Sequence, residues 1–216
     1  MARARNAQVE TTRARILSTA ERLFAEQGVA AVSNRQICEA ADQGNNFAVG
    51  YHFGGKNELL LAILEHHNTH IEPLRRQMLD ALGPVVEIRD WITCLVQPQT
   101  DYFESLGTPT YFARFCAHVT TDPKFQVMLY QQATVSEALM SVLAGLYGSL
   151  PALPDEVLAC RDSMARNMIL HTLADFERSL ADADPSAGNA AHSWSDIRDI
   201  LVDALVGVWL APVSAR

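Results

Sequence analysis

The sequence has few of the features that direct a chain to a membrane or to a disulfide-rich fold. No apolar run approaches the roughly 18 residues that a membrane-spanning helix needs. The basic N-terminus is not followed by an apolar core, so no secretory signal is expected. The four cysteines form no CxxC pair and are widely spaced: Cys38, Cys94, Cys116 and Cys160. Such isolated thiols are typical of core residues in a reducing compartment. We therefore expect a cytoplasmic location without a membrane partner.

The sequence also lacks the common catalytic patterns. GxSxG, HExxH, P-loop and dinucleotide-binding glycine patterns are absent, and Gly54-Gly55-Lys56 lacks the spacing and the hydroxyl of a phosphate-binding loop. His66 and His70 are four residues apart and could ligate zinc from one helix face, but no third ligand is evident nearby. We expect no enzyme activity, no cofactor and no metal site.

Positive charge is scarce, and its distribution is uneven. The net charge is −8. Residues 1–60 contain seven Lys and Arg against six Asp and Glu, whereas the remainder contains ten against nineteen. The N-terminal part is therefore free to approach phosphate, but it must rely on a few placed contacts and on dimer symmetry.

Apolar spacing predicts helices nearly throughout, and strand signals are absent. A first helix presents Ile16, Leu17, Ala20, Leu23 and Phe24 on one face and ends at Gly28. Ser33 and Gln36 form a capping box for a second helix, a third runs from about Asn45 to Tyr51, and a long helix follows Gly54-Gly55 from Lys56. We expect an all-α fold of about nine helices.

In the remaining chain, proline and glycine set the expected helix boundaries. We predict helices over 85–97 (stopped by Pro98), 101–104, 111–119, 122–146, 154–180 and from 195 to Pro212. Residues 182–193 are small and polar and predict a surface loop.

The short helices of residues 33–53 have the layout of a helix-turn-helix DNA-binding module. Asn45 and Asn46, expected at the start of the third helix, could each bond bidentately to adenine. Gly44 suits a positive φ in the turn. The helix N-terminus at Lys56 and its ammonium could share a phosphate. The predicted DNA-binding residues are Ser33, Asn34, Arg35, Gln43, Gly44, Asn45, Asn46, Phe47, Val49, Tyr51, His52 and Lys56. By spacing alone, a plain three-helix scaffold remains an alternative.

The segments TRARILSTAERLFAEQG and YHFGGKNELL, together with the helix between them, resemble the N-terminal module of TetR-family transcriptional regulators. The resemblance covers residues 11–64. It departs from the common pattern where Cys38 replaces an alanine, Asp42 a glycine and Gly50 a tyrosine, and the turn has one extra residue. With Asn45-Asn46 before YHFG, the string resembles a variant branch of the family. Phe47 could contact a thymine methyl, contact the sugar backbone or cover the bundle.

The resemblance implies a DNA-binding domain at residues 8–56 and a larger ligand-binding and dimerisation domain at residues 57–216. Two helices with broad apolar faces, around Leu158–Leu180 and Ile197–Trp209, could form a four-helix dimer interface; packing within one subunit is the alternative. Bulky residues near Pro98 and Pro109 could line an apolar pocket. The candidate ligand-binding residues are Trp91, Phe103, Phe112, Phe115, His118, Met128 and His171. For the apolar residues among them the alternative is that they only fill the core, and for the two histidines it is an ordinary core or surface role.

The resemblance therefore implies a ligand-responsive repressor that binds a palindromic double-stranded DNA operator as a homodimer and is released by a small-molecule effector. The alternative is a ligand-binding or scaffold helical protein without DNA binding.

Overall fold

A computed structural model describes residues 2–183 and 193–214. Within them the chain forms ten α-helices and no strand, which confirms the all-α prediction. The loop predicted for 182–193 lies largely outside the described residues. The helices are α1 (Ala2–Gln27), α2 (Asn34–Ala40), α3 (Ala48–Phe53), α4 (Lys56–Asp80), α5 (Ile88–Leu106), α6 (Phe112–Thr121), α7 (Pro123–Thr134), α8 (Glu137–Ser149), α9 (Asp155–Asp182) and α10 (Trp194–Leu210).

The chain divides into two compact units, each made of two separate stretches of sequence, and two of the boundaries fall within α4 and α7. Unit 1 comprises residues 1–68 and 111–132, and unit 2 comprises residues 69–110 and 133–216. In unit 1, α1 packs against α6 and α2, and the apolar face predicted for α1 is buried, with Ile16, Ala20 and Phe24 fully inaccessible. The Phe24 ring lies 6.1 Å from that of Phe115 on α6. In unit 2, α10 packs against α5 and α9, and α5 packs against α8.

Helix α5 continues through Pro98, so the prediction that proline stops a helix there was wrong. Proline removes one backbone donor, but side chains bond neighbouring carbonyls: Gln99 Nε2 donates to Leu95 O (3.1 Å) and Thr100 Oγ1 to Gln97 O (3.0 Å). The buried face of α5 contacts both α8 and α10. Packing on two sides outweighs the local cost of the proline.

The single helix predicted over 122–146 is also wrong, because the chain ends α7 at Thr134 and begins α8 at Glu137. Ser136 caps α8 and accepts a hydrogen bond from the Leu139 N–H (3.1 Å). Glu72 of α4 in turn accepts hydrogen bonds from Ser136 Oγ and from the Ala138 N–H (2.8 Å). A carboxylate remote in sequence therefore stabilises the start of this helix.

Burial by itself would raise the pKa of Glu72, but the hydrogen bonds from Ser136 and Ala138, with the nearby Arg75 guanidinium, lower this pKa below its ordinary value. Arg75 Nη1 lies 3.3 Å from Glu72 Oε2. The carboxylate is thus held in its charged form by three partners in unit 2.

None of the helices in residues 2–183 and 193–214 combines the length and the apolar character that crossing a bilayer requires. Three cysteines are buried, as expected of core thiols, but Cys160 is exposed on α9.

Candidate nucleic-acid interface

The turn between α2 and α3 is built around Asp42, which has a φ of 52°. Gly44 was expected to supply the positive φ, and this was wrong. Aspartate tolerates the left-handed conformation better than most residues because its short polar side chain can bond locally. The Gln43 N–H donates to Cys38 O (2.9 Å), and Gln43 Nε2 donates to Ala41 O (2.9 Å). The turn therefore accommodates its extra residue through hydrogen bonds between residues that are close in sequence.

Asn45 and Asn46 precede α3 instead of starting it, which corrects the predicted helix boundary. Asn45 Oδ1 accepts a hydrogen bond from the Phe47 N–H (2.9 Å), and Asn45 O accepts one from the Ala48 N–H (3.0 Å). This is an Asx turn, a conformation that asparagine favours. Asn45 Oδ1 is thus already engaged, which leaves the Nδ2 donor to face a ligand. Asn46 is exposed.

Cys38 explains one departure from the family pattern. Its thiol is buried, and Sγ lies 3.5 Å from Asn46 O, to which it donates. An alanine could not make this contact. The thiol thus anchors the chain segment that leads into α3.

Helix α3 divides cleanly into a buried and an exposed side. Ala48 and Val49 are buried, with Val49 fully inaccessible, whereas Phe47 is 80% exposed and Tyr51 is 77% exposed. Gly50 lies on the exposed side, and a Cβ built there meets no atom within 4 Å. Val49 therefore belongs to the core and not to the predicted DNA contacts.

The far end of α3 is held by Arg13 of α1. Its Nη1 donates to His52 O (2.6 Å), and its guanidinium lies over the Phe53 ring, 4.2 Å from the ring centre. Sequence reasoning missed this residue, although its place shortly before the buried stripe of α1 put it near the module. His52 is half-buried beside it.

Lys56 faces inward in this structure. Its Nζ donates to Val32 O (2.6 Å) and to Val29 O, and it lies 5.6 Å from the centre of the Phe24 ring. Partial burial lowers the pKa of Lys56. The ammonium predicted to bind phosphate thus stabilises the connection between α1 and α2, with one N–H left beyond these two bonds.

The start of α2 has the predicted capping box. Ser33 Oγ accepts from the Gln36 N–H (3.2 Å), and Gln36 Oε1 accepts from the Ser33 N–H (2.8 Å). Arg35 is exposed and pairs with Glu39 (2.7 Å), a contact that raises the pKa of Arg35. Asn34 Oδ1 is buried and has no hydrogen-bond partner among the described residues.

The candidate ligand-binding residues are divided between the two units. Phe112, Phe115, His118 and Met128 belong to unit 1, whereas Trp91, Phe103 and His171 belong to unit 2. The unit 1 rings are engaged in packing: Phe112 stacks on His67 at 3.8 Å, and a Cβ on Gly28 would lie 3.5 Å from His118 Nδ1.

In unit 2, Trp91 packs against Gly145 of α8 and donates from Nε1 to Ser149 Oγ (3.0 Å). Phe103 is buried against Trp194, with ring centres 4.9 Å apart. His171 is exposed on α9.

The histidines of α4 occupy different surroundings. His66 is exposed, His67 is buried with Nε2 3.0 Å from Glu21 Oε2, and His70 stacks on the Tyr102 ring at 5.4 Å. Within the part of the chain that the structure describes, no group of three or more potential ligands lies close enough to hold a metal ion.

Two protein-family models match this sequence. The model for bacterial regulatory proteins of the tetR family matches residues 16–63. The model for the tetracyclin repressor-like C-terminal domain matches residues 93–207, which is more than half of the chain. The chain belongs to the TetR family. It is a DNA-binding transcriptional regulator, and α2 and α3 form its helix-turn-helix.

Solved structures share the fold of this TetR-family chain. The TetR-family regulator PfmR from Thermus thermophilus has a TM-score of 0.52 and 16% identity, over 93% of this chain and 97% of that one. The probable transcriptional regulatory protein RHA5900 has a TM-score of 0.50 and 20% identity, over 94% and 100%. The superantigen PfiT has a TM-score of 0.50 and 17% identity, over 94% and 98%. Identities this low establish the fold alone. No curated protein matches the sequence.

Proposed function

We propose that this TetR-family protein is a ligand-responsive repressor that binds a palindromic operator as a homodimer. The observation that carries the proposal is the exposed side of α3 and its preceding turn, where Asn46, Phe47 and Tyr51 face solvent from a backbone held by Cys38 and Arg13. A recognition helix in the major groove needs such a rigid support and such groups at its surface.

The contacts fall into two groups. We assign base-edge contacts to Asn45 (through Nδ2), Asn46, Phe47 and Tyr51. Contacts to the phosphate backbone fall to Ser33, Asn34, Arg35, Gln43, Gly44 and His52. Lys56 contributes its one remaining N–H at most, because its other donors bond the carbonyls of Val29 and Val32. In this arrangement residues 8–56 act as the DNA-binding domain and residues 57–216 as the ligand-binding and dimerisation domain.

Dimerisation is supported by the outer sides of α9 and α10. The sides predicted to pair across a two-fold axis are partly used within unit 2, since Leu173, Leu201 and Trp209 are buried there. Large apolar residues remain on the outer sides: Met164 is 53% exposed and Ile200 is 57% exposed. A second copy that covers them would give a four-helix interface.

The dimer has a direct test with a matched control. Met164→Glu and Ile200→Glu should each convert a dimer to a monomer in light scattering and weaken operator binding, because a buried unpaired charge is costly. Val127 of α7 is 55% exposed, so Val127→Glu should leave the mass unchanged. A monomeric wild-type protein would contradict the proposal.

The effector is proposed to be a small, largely apolar organic molecule. The support is the aromatic cluster of unit 2, in which Trp194 lies 4.9 Å from Phe103 and 4.8 Å from Phe176 between ring centres. Tryptophan fluorescence should change when an effector binds, and Trp194→Phe should reduce that change by the part that Trp194 contributes, with Trp91 and Trp209 unaltered. An effector that binds without altering operator affinity would contradict the coupling, since a ligand shifts an equilibrium only by its differential affinity.

Operator binding is tested by anisotropy with DNA from upstream of the protein's own gene, across a salt series and against scrambled competitor. Between residues 7 and 55 only Arg15 and Arg35 are exposed cations. If Arg15 contacts phosphate in addition to Arg35, the dimer neutralises four phosphates and the slope of log K against log salt is about −3.6. Binding that resists scrambled DNA supports a sequence-specific operator-binding regulator. Sequence-blind binding would indicate an operator elsewhere, a required co-ligand or a degenerate DNA-binding surface, whereas no DNA binding at all would favour a ligand-binding or scaffold protein.

A further inference from the structure

Phe47 is the residue of the α3 face that packing does not explain. Its side chain is 80% exposed, although burying a phenylalanine is worth roughly 1.5–3 kcal/mol. It occupies the N-cap position of α3 and makes no side-chain capping bond. Covering the bundle, one of the three roles open from the sequence, is therefore excluded.

The backbone beneath the ring is held from both directions. The Phe47 N–H donates to Asn45 Oδ1 (2.9 Å), and Phe47 O accepts from the Tyr51 N–H (2.9 Å). The ring therefore projects from a defined backbone rather than from a loose loop. A backbone that is fixed in this way suits a side chain that must contact a partner in one orientation.

The neighbours of Phe47 indicate the chemistry of that partner. On either side lie exposed amide groups at Asn45 and Asn46 and the phenol of Tyr51, while Gly50 leaves open space on the same side of α3. Polar groups of this kind bond base edges. Among the groups that the four base pairs present in the major groove, the thymine C5-methyl is the apolar one.

We propose that Phe47 determines operator specificity by packing its ring against the C5-methyl group of one thymine in each operator half-site. The inference rests on the proposed function, in which α3 enters the major groove. It assigns to Phe47 a preference for T·A at one position, which the hydrogen-bonding residues around it do not supply.

The test removes single methyl groups from the operator. After the operator is selected from a random DNA pool, each thymine is replaced by deoxyuridine, which keeps base pairing and lacks only the C5-methyl. The wild-type protein should lose about fourfold in affinity at one thymine of a half-site and about fifteenfold when both half-sites are changed. Other thymines should show smaller effects.

The Phe47→Ala variant should bind the unmodified operator more weakly and no longer distinguish thymine from uracil at that position. Tyr51 is a matched control, being 77% exposed on the same side of α3. Tyr51→Ala should weaken binding but keep the uracil sensitivity of the wild type. Both variants should unfold at the wild-type temperature, because neither side chain is buried.

Three results would overturn the inference. A Phe47→Ala variant that binds more weakly but keeps the wild-type uracil profile would place the ring on the sugar backbone. A Phe47→Ala variant with unchanged DNA binding but reduced self-association would make Phe47 a protein contact. If the wild type selects no sequence from the pool, the proposed function and this inference fall together, whereas the first two results leave the proposed function intact.

Discussion

Replacing Gly50 by alanine should change stability and DNA binding in opposite directions. Gly50 lies inside α3, and a Cβ at this position meets no atom within 4 Å. Alanine is favoured over glycine within a helix by up to about 1 kcal/mol. We expect Gly50→Ala to raise the free energy of unfolding by about 0.5–1 kcal/mol, as measured by urea denaturation.

The same methyl group should weaken operator binding. Gly50 lies between Phe47 and Tyr51 on the exposed side of α3, which is the side proposed to meet the major groove. An added methyl group in a close-packed contact costs typically about 1–3 kcal/mol. Because each protomer of the dimer carries one, we expect operator affinity to fall by at least about thirtyfold in anisotropy titrations. A more stable protein that binds its operator less well is hard to explain by misfolding.

Gly148 of α8 provides the control, since a Cβ there also meets nothing within 4 Å. Gly148→Ala should stabilise the fold without changing operator affinity. The reasoning is refuted if Gly50→Ala binds DNA as well as the wild type, which would mean that DNA does not approach this face. It is equally refuted if Gly50→Ala destabilises the fold.

Three further substitutions test contacts inside the two units. Gly145→Ala would place a methyl group 2.4 Å from the Trp91 indole and should lower the free energy of unfolding by about 1–3 kcal/mol in urea denaturation. Glu72→Gln should cost about 1–2 kcal/mol at pH 7. Because the pKa of Glu72 is lower in the folded chain than its ordinary value of 4.5, its contribution is present above that pH and is lost as pH falls through the lowered pKa, so the two proteins should converge in acid. Lys56→Met leaves two backbone carbonyls without their donor and should cost about 1–3 kcal/mol and weaken operator binding.

Each of these expectations can fail in a specific way. A neutral Gly145→Ala would mean that the indole moves aside easily. A stability difference between wild type and Glu72→Gln that persists unchanged into acid would show that the charge of Glu72 is not what stabilises α8. A stable Lys56→Met that loses only DNA affinity would restore the phosphate-binding role first expected of this ammonium.

Helix ends were predicted well where residues close in sequence cap the helix. The capping box of Ser33 and Gln36 and the glycine at 28 depend on neighbours within a few residues, so the sequence displays them directly. Ser193 and Asp196 form a further capping box at the start of α10, whose beginning we predicted at residue 195 from apolar spacing alone.

The errors occurred where a distant partner decides the outcome. Pro98 is a helix breaker by local rules, yet it lies within α5 because that helix is packed on two sides. The break before α8 depends on Glu72, which is 64 residues from Ser136. No periodicity in either segment contains that information.

The candidate DNA-binding surface shows the same division. The sequence by itself determined the all-helical class, the position of the helix-turn-helix and most of the polar residues near its tip, because these follow from residue type and spacing along one helix. It did not determine which of those side chains are exposed and free of other contacts, so that they could bind DNA. Val49 is buried, Asn45 uses its carbonyl oxygen in a turn, and Lys56 bonds the backbone of the preceding connection. Hydrogen-bond partners and burial depend on elements that meet only after folding, so the tertiary structure alone decided which residues face solvent and which hold the scaffold.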